Sequence, residues 1–316
     1  MKISVVMASY NGASYIKEQL NSIDNQSVNP DEIIIVDDAS TDNTVSLIND
    51  FFDNTDIDGK LIVHEKNMGY KTTFLETLKY ADGDIIFFCD QDDVWQENKI
   101  ERMVSVICDN EGIKALNTSY NLIDGDGNEI AGNIRNKKRN NDQRKLYNIS
   151  LESVLEYNAA MGCTIAFTKE IKDVILEHIN EIKTFNIPHD WIINIIAAMK
   201  NGLFMLNEPL ICYRLHGDNT IGLNRAVTIR KRIEDYEDIA NQKMDMLKLL
   251  KEIDRTLFVN KYDFMKLMVK SYYIRCEMLE RKKLFGYLRS YKKYDLNKVM
   301  DFKSALYDLY LIARRK

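Results

Sequence analysis

No two of the five cysteines form a C-x-x-C pair. Cys89, Cys108, Cys163, Cys212 and Cys276 are scattered. That spacing argues against a disulfide framework or a zinc site and fits buried thiols in a reducing compartment. Long apolar runs are missing too: none approaches the ~18 residues of a membrane-spanning helix. The N-terminus, MKISVVMASYNG, offers one Lys and a short apolar run before a polar turn, too little for a signal-peptide core. These absences together predict a cytoplasmic protein. A positive charge excess is also lacking. The net charge is −5 and the pI about 5.6, which argues against a general nucleic-acid binder. The chain carries no internal repeat and no low-complexity tract.

What is present is a chain of 316 residues, 45% hydrophobic and 29% charged. That is enough for one large domain, or for a domain with an appendage. The charge is uneven. Residues 281–316 hold 11 Lys or Arg against Asp295, Asp301 and Asp308, a net +8, so the remainder carries −13. A basic tail on an acidic body suits either an anionic partner or a solvated helical face.

The first ninety residues alternate short apolar runs with helical periodicity. ISVVMA (3–8), EIIIVDD (32–38), KLIVHEK (60–66) and DIIFFCD (84–90) read as buried strands. Helical patterns separate them, one beginning near STDNT with Ser40 or Thr41 as its N-cap. Strands apolar throughout and alternating with helices predict an α/β fold with a parallel sheet covered on both faces. Ligands of such sheets bind beyond the carboxyl ends of the strands. The polar ends, Ser9-Tyr10-Asn11, Asp37-Asp38 and Asp90–Asp93, should therefore converge on one edge. Farther on, 115–130 reads as two strands about a Gly-Asp-Gly turn, 131–148 as a mobile loop, and DWIINIIAAMKNG as a helix ended by Gly202. Its IDGDGNEI segment is not a calcium loop, because Glu129 stands where that loop needs glycine. From about Ala226 the chain turns helical, so a boundary is placed near 222: residues 1–222 form one domain and 223–316 a C-terminal helical region.

In DIIFFCDQDDVW a buried strand runs directly into three acids. Asp90 and Asp92, two residues apart, can turn toward one hard cation, and Mg²⁺ or Mn²⁺ would remove their repulsion. Capping of a following helix accounts for Asp93 but poorly for all three. Asp190, in IPHDWI, is either a helix-start acid with Trp191 packed in the core, or a carboxylate placed to take a proton beside an aromatic. YRLHGDN supplies Arg214 and His216, a phosphate clamp and a metal ligand by residue type.

In order and separation, SVVMASYNG, IIIVDDASTD, NMG and DGDIIFFCDQDD resemble the family 2 glycosyltransferases of the GT-A nucleotide-sugar-binding fold. The resemblance covers about residues 1–220. DQDDVW, HDWIINI and YRLHGDN look more narrowly like bacterial rhamnosyltransferase-type members that build surface polysaccharides. The resemblance implies a mostly parallel sheet and a metal-dependent inverting transfer from a nucleotide sugar. It implies that Ala8, Ser9 and Tyr10 line the nucleotide pocket, that Asp38 accepts from the base, and that Asn67 and Gly69 lie near the nucleotide. Asp90 and Asp92 would hold the Mg²⁺ or Mn²⁺ ion, with His216 as an additional ligand. Asp93, Gly162, Cys163, Trp191 and Arg214 would face the sugar or acceptor, and Asp190 would be the base. Lys71 is either a phosphate contact or an exposed lysine. The implied donor is dTDP-L-rhamnose, with a UDP-hexose next, and the acceptor a glycan or a lipid-linked glycan. A non-catalytic scaffold of the same fold is the alternative from another class. The basic tail, with Phe302, Leu306, Leu309 and Ala313 on one helical face, suits peripheral contact with the inner face of the membrane, packing on the catalytic domain, or a homodimer.

Overall fold

A computed structural model describes residues 1–130, 145–158, 161–217, 228–281 and 302–314. Most of the segment read as a mobile loop, the boundary placed near 222 and most of the basic stretch after Arg281 lie outside the described residues. The chain divides into two compact units, Met1–Lys183 with Pro188–Asn219, and Thr184–Ile187 with Thr220–Lys316. Among the described residues no helix is long and apolar enough to cross a membrane.

The first unit is built on β1 (Ile3–Ser9), β2 (Glu32–Asp37), β3 (Asp58–Val63) and β4 (Ile85–Cys89). Helices α1 (Ile16–Asp24), α2 (Thr44–Phe52) and α3 (Tyr70–Thr77) link them. After β4 come β5 (Val94–Trp95), α4 (Lys99–Asp109), β6 (Ala115–Ile123), β7 (Leu146–Asn148), α5 (Leu151–Glu156), a 3₁₀ turn (Gly162–Thr164), β8 (Ile165–Thr168), α6 (Lys169–Glu177), α7 (Ile179–Thr184), α8 (His189–Met199) and β9 (Leu203–Arg214). The sheet order is β3-β2-β1-β4-β8-β6-β9-β5, with β7 paired to β9.

β1 to β4 are parallel, and the register Ser9↔Asp37 and Met7↔Cys89 brings three polar strand ends side by side. Alternation along these strands sends Val5, Met7, Ile33, Ile35 and Phe87 to one face, where Ile16, Leu20, Ile100 and Met103 cover them. The intervening position Phe88 meets Phe74 on the other side. Parallel pairing recurs between β6 and β9 but is interrupted after β4. β8 runs antiparallel to β4 and to β6, so the sheet is mixed. The expected N-cap of α2 is also displaced. The helix starts at Thr44, because the Ser40 hydroxyl donates instead to Asp37 Oδ2 at 2.6 Å.

The second unit contains α9 (Ile229–Ile253), α10 (Arg255–Arg281) and α11 (Phe302–Arg314). Asp254 starts α10, its Oδ1 accepting the N–H groups of Thr256 and Leu257 at 2.8 and 3.0 Å. Ile229, Tyr236, Cys276, Leu279, Ala305, Leu311 and Ile312 form the core. The face of α11 read from apolar spacing packs only in part: Leu309 lies against this core. Leu306 is 48% exposed, whereas Asp308 is fully buried. Asp308 accepts from Arg232 Nε (3.1 Å), Arg275 Nε (2.7 Å) and Tyr236 Oη (2.7 Å). One desolvated carboxylate with these partners sets the helix rotation, since turning it outward would strand the Arg275 charge. Asp308→Ala should therefore lower unfolding free energy by about 3 kcal/mol, read by thermal or denaturant melts of the full chain. Asp308→Asn should cost less.

Candidate active site

The β1 and β2 ends are tied by side chains. Asp37 is buried and its Oδ2 accepts from Ser9 Oγ at 2.8 Å, while its Oδ1 accepts the Ser40 N–H at 2.8 Å. Ala39 holds φ +65° and Asn11 φ +48°, both left-handed. Asn11 tolerates this conformation and uses its Oδ1 to accept the Thr41 N–H at 2.8 Å. Asp38 is 2% exposed. Its oxygens accept the N–H groups of Met68 (2.7 Å) and Gly69 (2.8 Å), and His64 Nδ1 lies 2.9 Å away. It thus fastens the Asn67–Gly69 loop to β2, and Gly69 supplies the φ +84° that the loop requires.

Gln91 bridges β4 to β1, its Oε1 accepting the Tyr10 N–H at 2.9 Å and its Nε2 donating to Tyr10 O at 3.0 Å. A Cβ at Gly12 would fall 2.2 Å from Gln91 Oε1, so that glycine makes the bridge feasible. The Tyr10 ring is exposed at the rim.

The acids after β4 divide. Asp92 Oδ2 lies 2.8 Å from His216 Nε2, which packs against the Tyr15 ring. Asp93 is fully buried, and burial followed by the Asp92 charge pushes its carboxyl up to about 7. Burial, then Asp93, Asp92 and Asp190, push Asp90 well above the carboxylate range. Ligand atoms of Asp90, Asp93 and Cys163 lie within 4.8 Å of one another. Behind them Lys99 Nζ donates to Cys163 O at 2.7 Å and sits 3.8 Å from the Trp95 ring centre, and burial lowers it to about 8. Nothing in the sequence distinguished Lys99 from a solvated helix residue.

Four expectations change. Asp93 is not a helix-start acid, because β5 intervenes and α4 begins at Lys99. Arg214 is 1% exposed and does not face a sugar. Its Nε donates to Asp92 O (2.8 Å), its Nη1 to Gly125 O (3.1 Å) and its Nη2 to Glu18 (2.6 Å), so it braces the acidic loop from behind. Trp191 is buried with Nε1 donating to Val154 O at 2.7 Å, which anchors α8 to α5. Lys71 is part-buried rather than exposed, and its ammonium donates to Ile182 O at 3.0 Å.

Asp190 lies in the first turn of α8. Its Oδ1 accepts the Trp191 N–H at 2.8 Å and its Oδ2 accepts from Asn158 Nδ2 at 2.9 Å. Burial raises it to about 6 against those donors. His189 stacks on Phe74 at 4.2 Å, and burial, then the Lys71 charge, lowers it to about 3, so the ring is neutral. A Cβ at Gly162 would lie 3.0 Å from His189 Nε2 and 3.6 Å from Asp190 Cβ, so Gly162 keeps room beside the acid.

Residues 4–163 match Glycosyl transferase family 2. The chain belongs to that family. It carries a glycosyltransferase domain. It is 29% identical over 220 residues to an uncharacterized glycosyltransferase, alr2836, of Nostoc, covering 69% of this chain and 66% of that one. It is 29% identical over 228 residues to the dTDP-rhamnosyl transferase RfbG of Shigella flexneri, covering 69% and 74%. Among solved structures, S. aureus TarS 1–349 in complex with UDP aligns at TM-score 0.56 and 17% identity, covering 95% and 89%. The mannosyltransferase PcManGT from Pyrobaculum calidifontis, in complex with GDP-Man and Mn²⁺, aligns at 0.53 and 17%, covering 99% and 86%. The fold is GT-A, a mixed, mostly parallel sheet followed by C-terminal helices.

Asp190 is destabilising when ionised. Its folded-state value, about 6, exceeds the ordinary 3.8. The stability available with a neutral group is therefore full below about pH 3.8 and lost as pH rises through 6. Asp190→Asn should remove this pH dependence, so that its stability relative to the wild type rises by about 3 kcal/mol between pH 4 and pH 7.5. Melts at the two pH values check this.

Proposed function

We propose that the chain is a metal-dependent inverting glycosyltransferase that uses Asp190 as general base. The observation that carries the reading is the Gly162–Cys163 turn, where the Cβ position of Gly162 lies 3.6 Å from Asp190 Cβ and Cys163 Sγ lies within 4.8 Å of the Asp90 and Asp93 carboxylates, so the acid of α8 sits near the end of β4. One carboxylate is thereby set beside the acids that would meet a diphosphate. The donor chemistry also suits a divalent cation. Asp90, Asp92 and Asp93 supply hard oxygen ligands, His216 an imidazole nitrogen, and the fold forces Asp90 toward neutrality unless positive charge offsets it. Asp90, Asp92 and His216 would hold the ion. Bound there, Mg²⁺ or Mn²⁺ would neutralise the diphosphate oxygens.

The chain's own groups do the rest. Ala8, Ser9 and Tyr10 border the nucleotide, with Tyr10 free at the rim to stack on the base. Asp38 accepts from the imide of the base while its bonds to the loop N–H groups keep Asn67 and Gly69 oriented toward the nucleotide. Asp190 Oδ takes the proton of an acceptor hydroxyl as that oxygen bonds to the anomeric carbon. The carbon–phosphate-oxygen bond breaks, and its electron pair leaves with the nucleoside diphosphate. Attack from the opposite face inverts the anomeric centre without a covalent enzyme intermediate.

Relatives named for dTDP-rhamnosyl and UDP-glucosyl transfer favour dTDP-L-rhamnose first and a UDP-hexose second. WfgD of Escherichia coli, 27% identical over 237 residues, is named for a diphosphoundecaprenol-linked acceptor, which favours a lipid-linked glycan in surface polysaccharide synthesis.

With Mn²⁺ or Mg²⁺, one member of a panel of dTDP- and UDP-sugars should raise the melting temperature, and Asp92→Ala should abolish that rise. Asp190→Asn should lower transfer about 100-fold or more while leaving the donor-induced melting shift in place. In the wild type, kcat/KM should fall as pH drops below about 6, since only the ionised carboxylate accepts the proton. Full transfer by Asp190→Asn would defeat the assignment.

A further inference from the structure

Asp190 is the end of a chain of three amides. Asn158 Nδ2 donates to Asp190 Oδ2 at 2.9 Å. Asn194 Nδ2 donates to Asn158 Oδ1 at 3.0 Å. Asn117 Nδ2 donates to Asn194 Oδ1 at 3.0 Å. The three asparagines come from three places: the middle of the sheet on β6, the buried face of α8, and the segment just after α5.

The direction of every amide in this chain is forced. An ionised carboxylate only accepts, so Asn158 must present its NH₂ to Asp190. Its carbonyl then faces Asn194, which must present NH₂ in turn, and the same holds for Asn117. All three dipoles point their positive ends toward one carboxylate. Asn117 and Asn194 are 0% and 1% exposed, and Asn117 Oδ1 has no hydrogen-bond partner among the described residues. Buried amides with an orphan acceptor cost stability relative to apolar residues of similar volume. Packing therefore does not account for them.

We infer that Asn117, Asn194 and Asn158 form a polarised relay that holds the Asp190 carboxylate in one orientation and keeps it ionised, with Asn158 as the positioning residue in contact and the other two acting through it. The inference rests on Asp190 as the base. The geometry explains how a carboxylate in the first turn of a helix keeps a fixed rotamer. The Trp191 N–H holds Oδ1, the relay holds Oδ2, and each oxygen retains a lone pair for the acceptor proton. Asn194 lies four residues after Asp190 on the same helix, so the relay also closes a loop from α8 through the post-α5 segment and back. A closed loop resists the rotation that a single hydrogen bond would allow. Among the described residues, the ionisable groups that feel the Asp190 charge are Tyr70 from α3, whose hydroxyl is raised by burial and then by Asp190, and Asp90 from the end of β4. His189, beside it on α8, is neutral.

The test is the titration of Asp190 in the full-length protein, followed by carboxyl ¹³C NMR of Asp-labelled chain, with Asp190→Asn identifying the resonance. Asn158→Leu should move the midpoint up by about one pH unit, because a hydrogen bond to the charged form is lost. Asn194→Leu should move it up by a smaller, measurable amount, although that side chain does not touch Asp190. Ile195→Val, the next residue of α8 and equally buried, loosens the helix without touching the relay and should leave the midpoint unchanged. A shift with Asn158→Leu but none with Asn194→Leu would reduce the relay to a single contact and overturn the inference. So would an equal shift with Ile195→Val, or no shift with Asn158→Leu. Should Asn194→Leu fail to fold, Asn117→Leu replaces it with the same expected direction. Sugar transfer by Asp190→Asn is scored separately: if it persists, the base assignment fails whatever the titration shows.

Discussion

Arg214 is the group on which the acidic edge depends. It stands at the last residue of β9, enclosed by protein. Its backbone N–H donates to Asp93 Oδ1, its Nε to the Asp92 carbonyl, and its Nη groups to the Gly125 carbonyl and Glu18. One guanidinium thereby joins the last long strand, the acidic loop, the turn after β6 and helix α1. A fork of fixed donors can do this, whereas the single point charge of lysine cannot satisfy so many carbonyls at once. The Arg214 backbone holds Asp93 and its side chain holds Asp92, so one residue fixes both.

That arrangement sorts the site's carboxylates into two sets. Asp37 and Asp38 are buried but saturated with donors, and they shape the loops around the β1 and β2 ends. Asp90, Asp93 and Asp190 are under-compensated, and burial raises all three. The first set shapes the edge. The second is costly to ionise in the folded protein, and under the proposed mechanism a cation at one end and a substrate proton at the other would relieve that cost. A site that is costly while empty and comfortable when loaded is the expected compromise between stability and activity.

The helical unit follows the same rule at a place with no proposed chemistry. Asp308 turns α11 so that a carboxylate, not Leu306, faces inward, because Arg275 and Arg232 are already there. Apolar periodicity describes a helix face only when no buried charge competes for it.

The alternation of apolar runs with helical periodicity determined β1 to β4 and the three helices between them. The carboxylates placed at their ends, Asp37-Asp38 and Asp90 to Asp93, determined which edge carries the site. Those features are local, because a strand buried on both faces and the polar residues that stop it are written within six or seven positions. Tertiary structure decided what no local pattern contains. It reversed the sheet direction after β4, where β8 returns antiparallel. It sent Trp191 and Arg214 inward, since an aromatic or a guanidinium can serve core or ligand and only its neighbours choose. It also assembled Asn117, Asn194 and Asn158, three ordinary residues from separate elements, into a line of donors on Asp190. A hydrogen bond needs about 3 Å and a direction, and distances of that kind between remote segments exist only once the chain has folded.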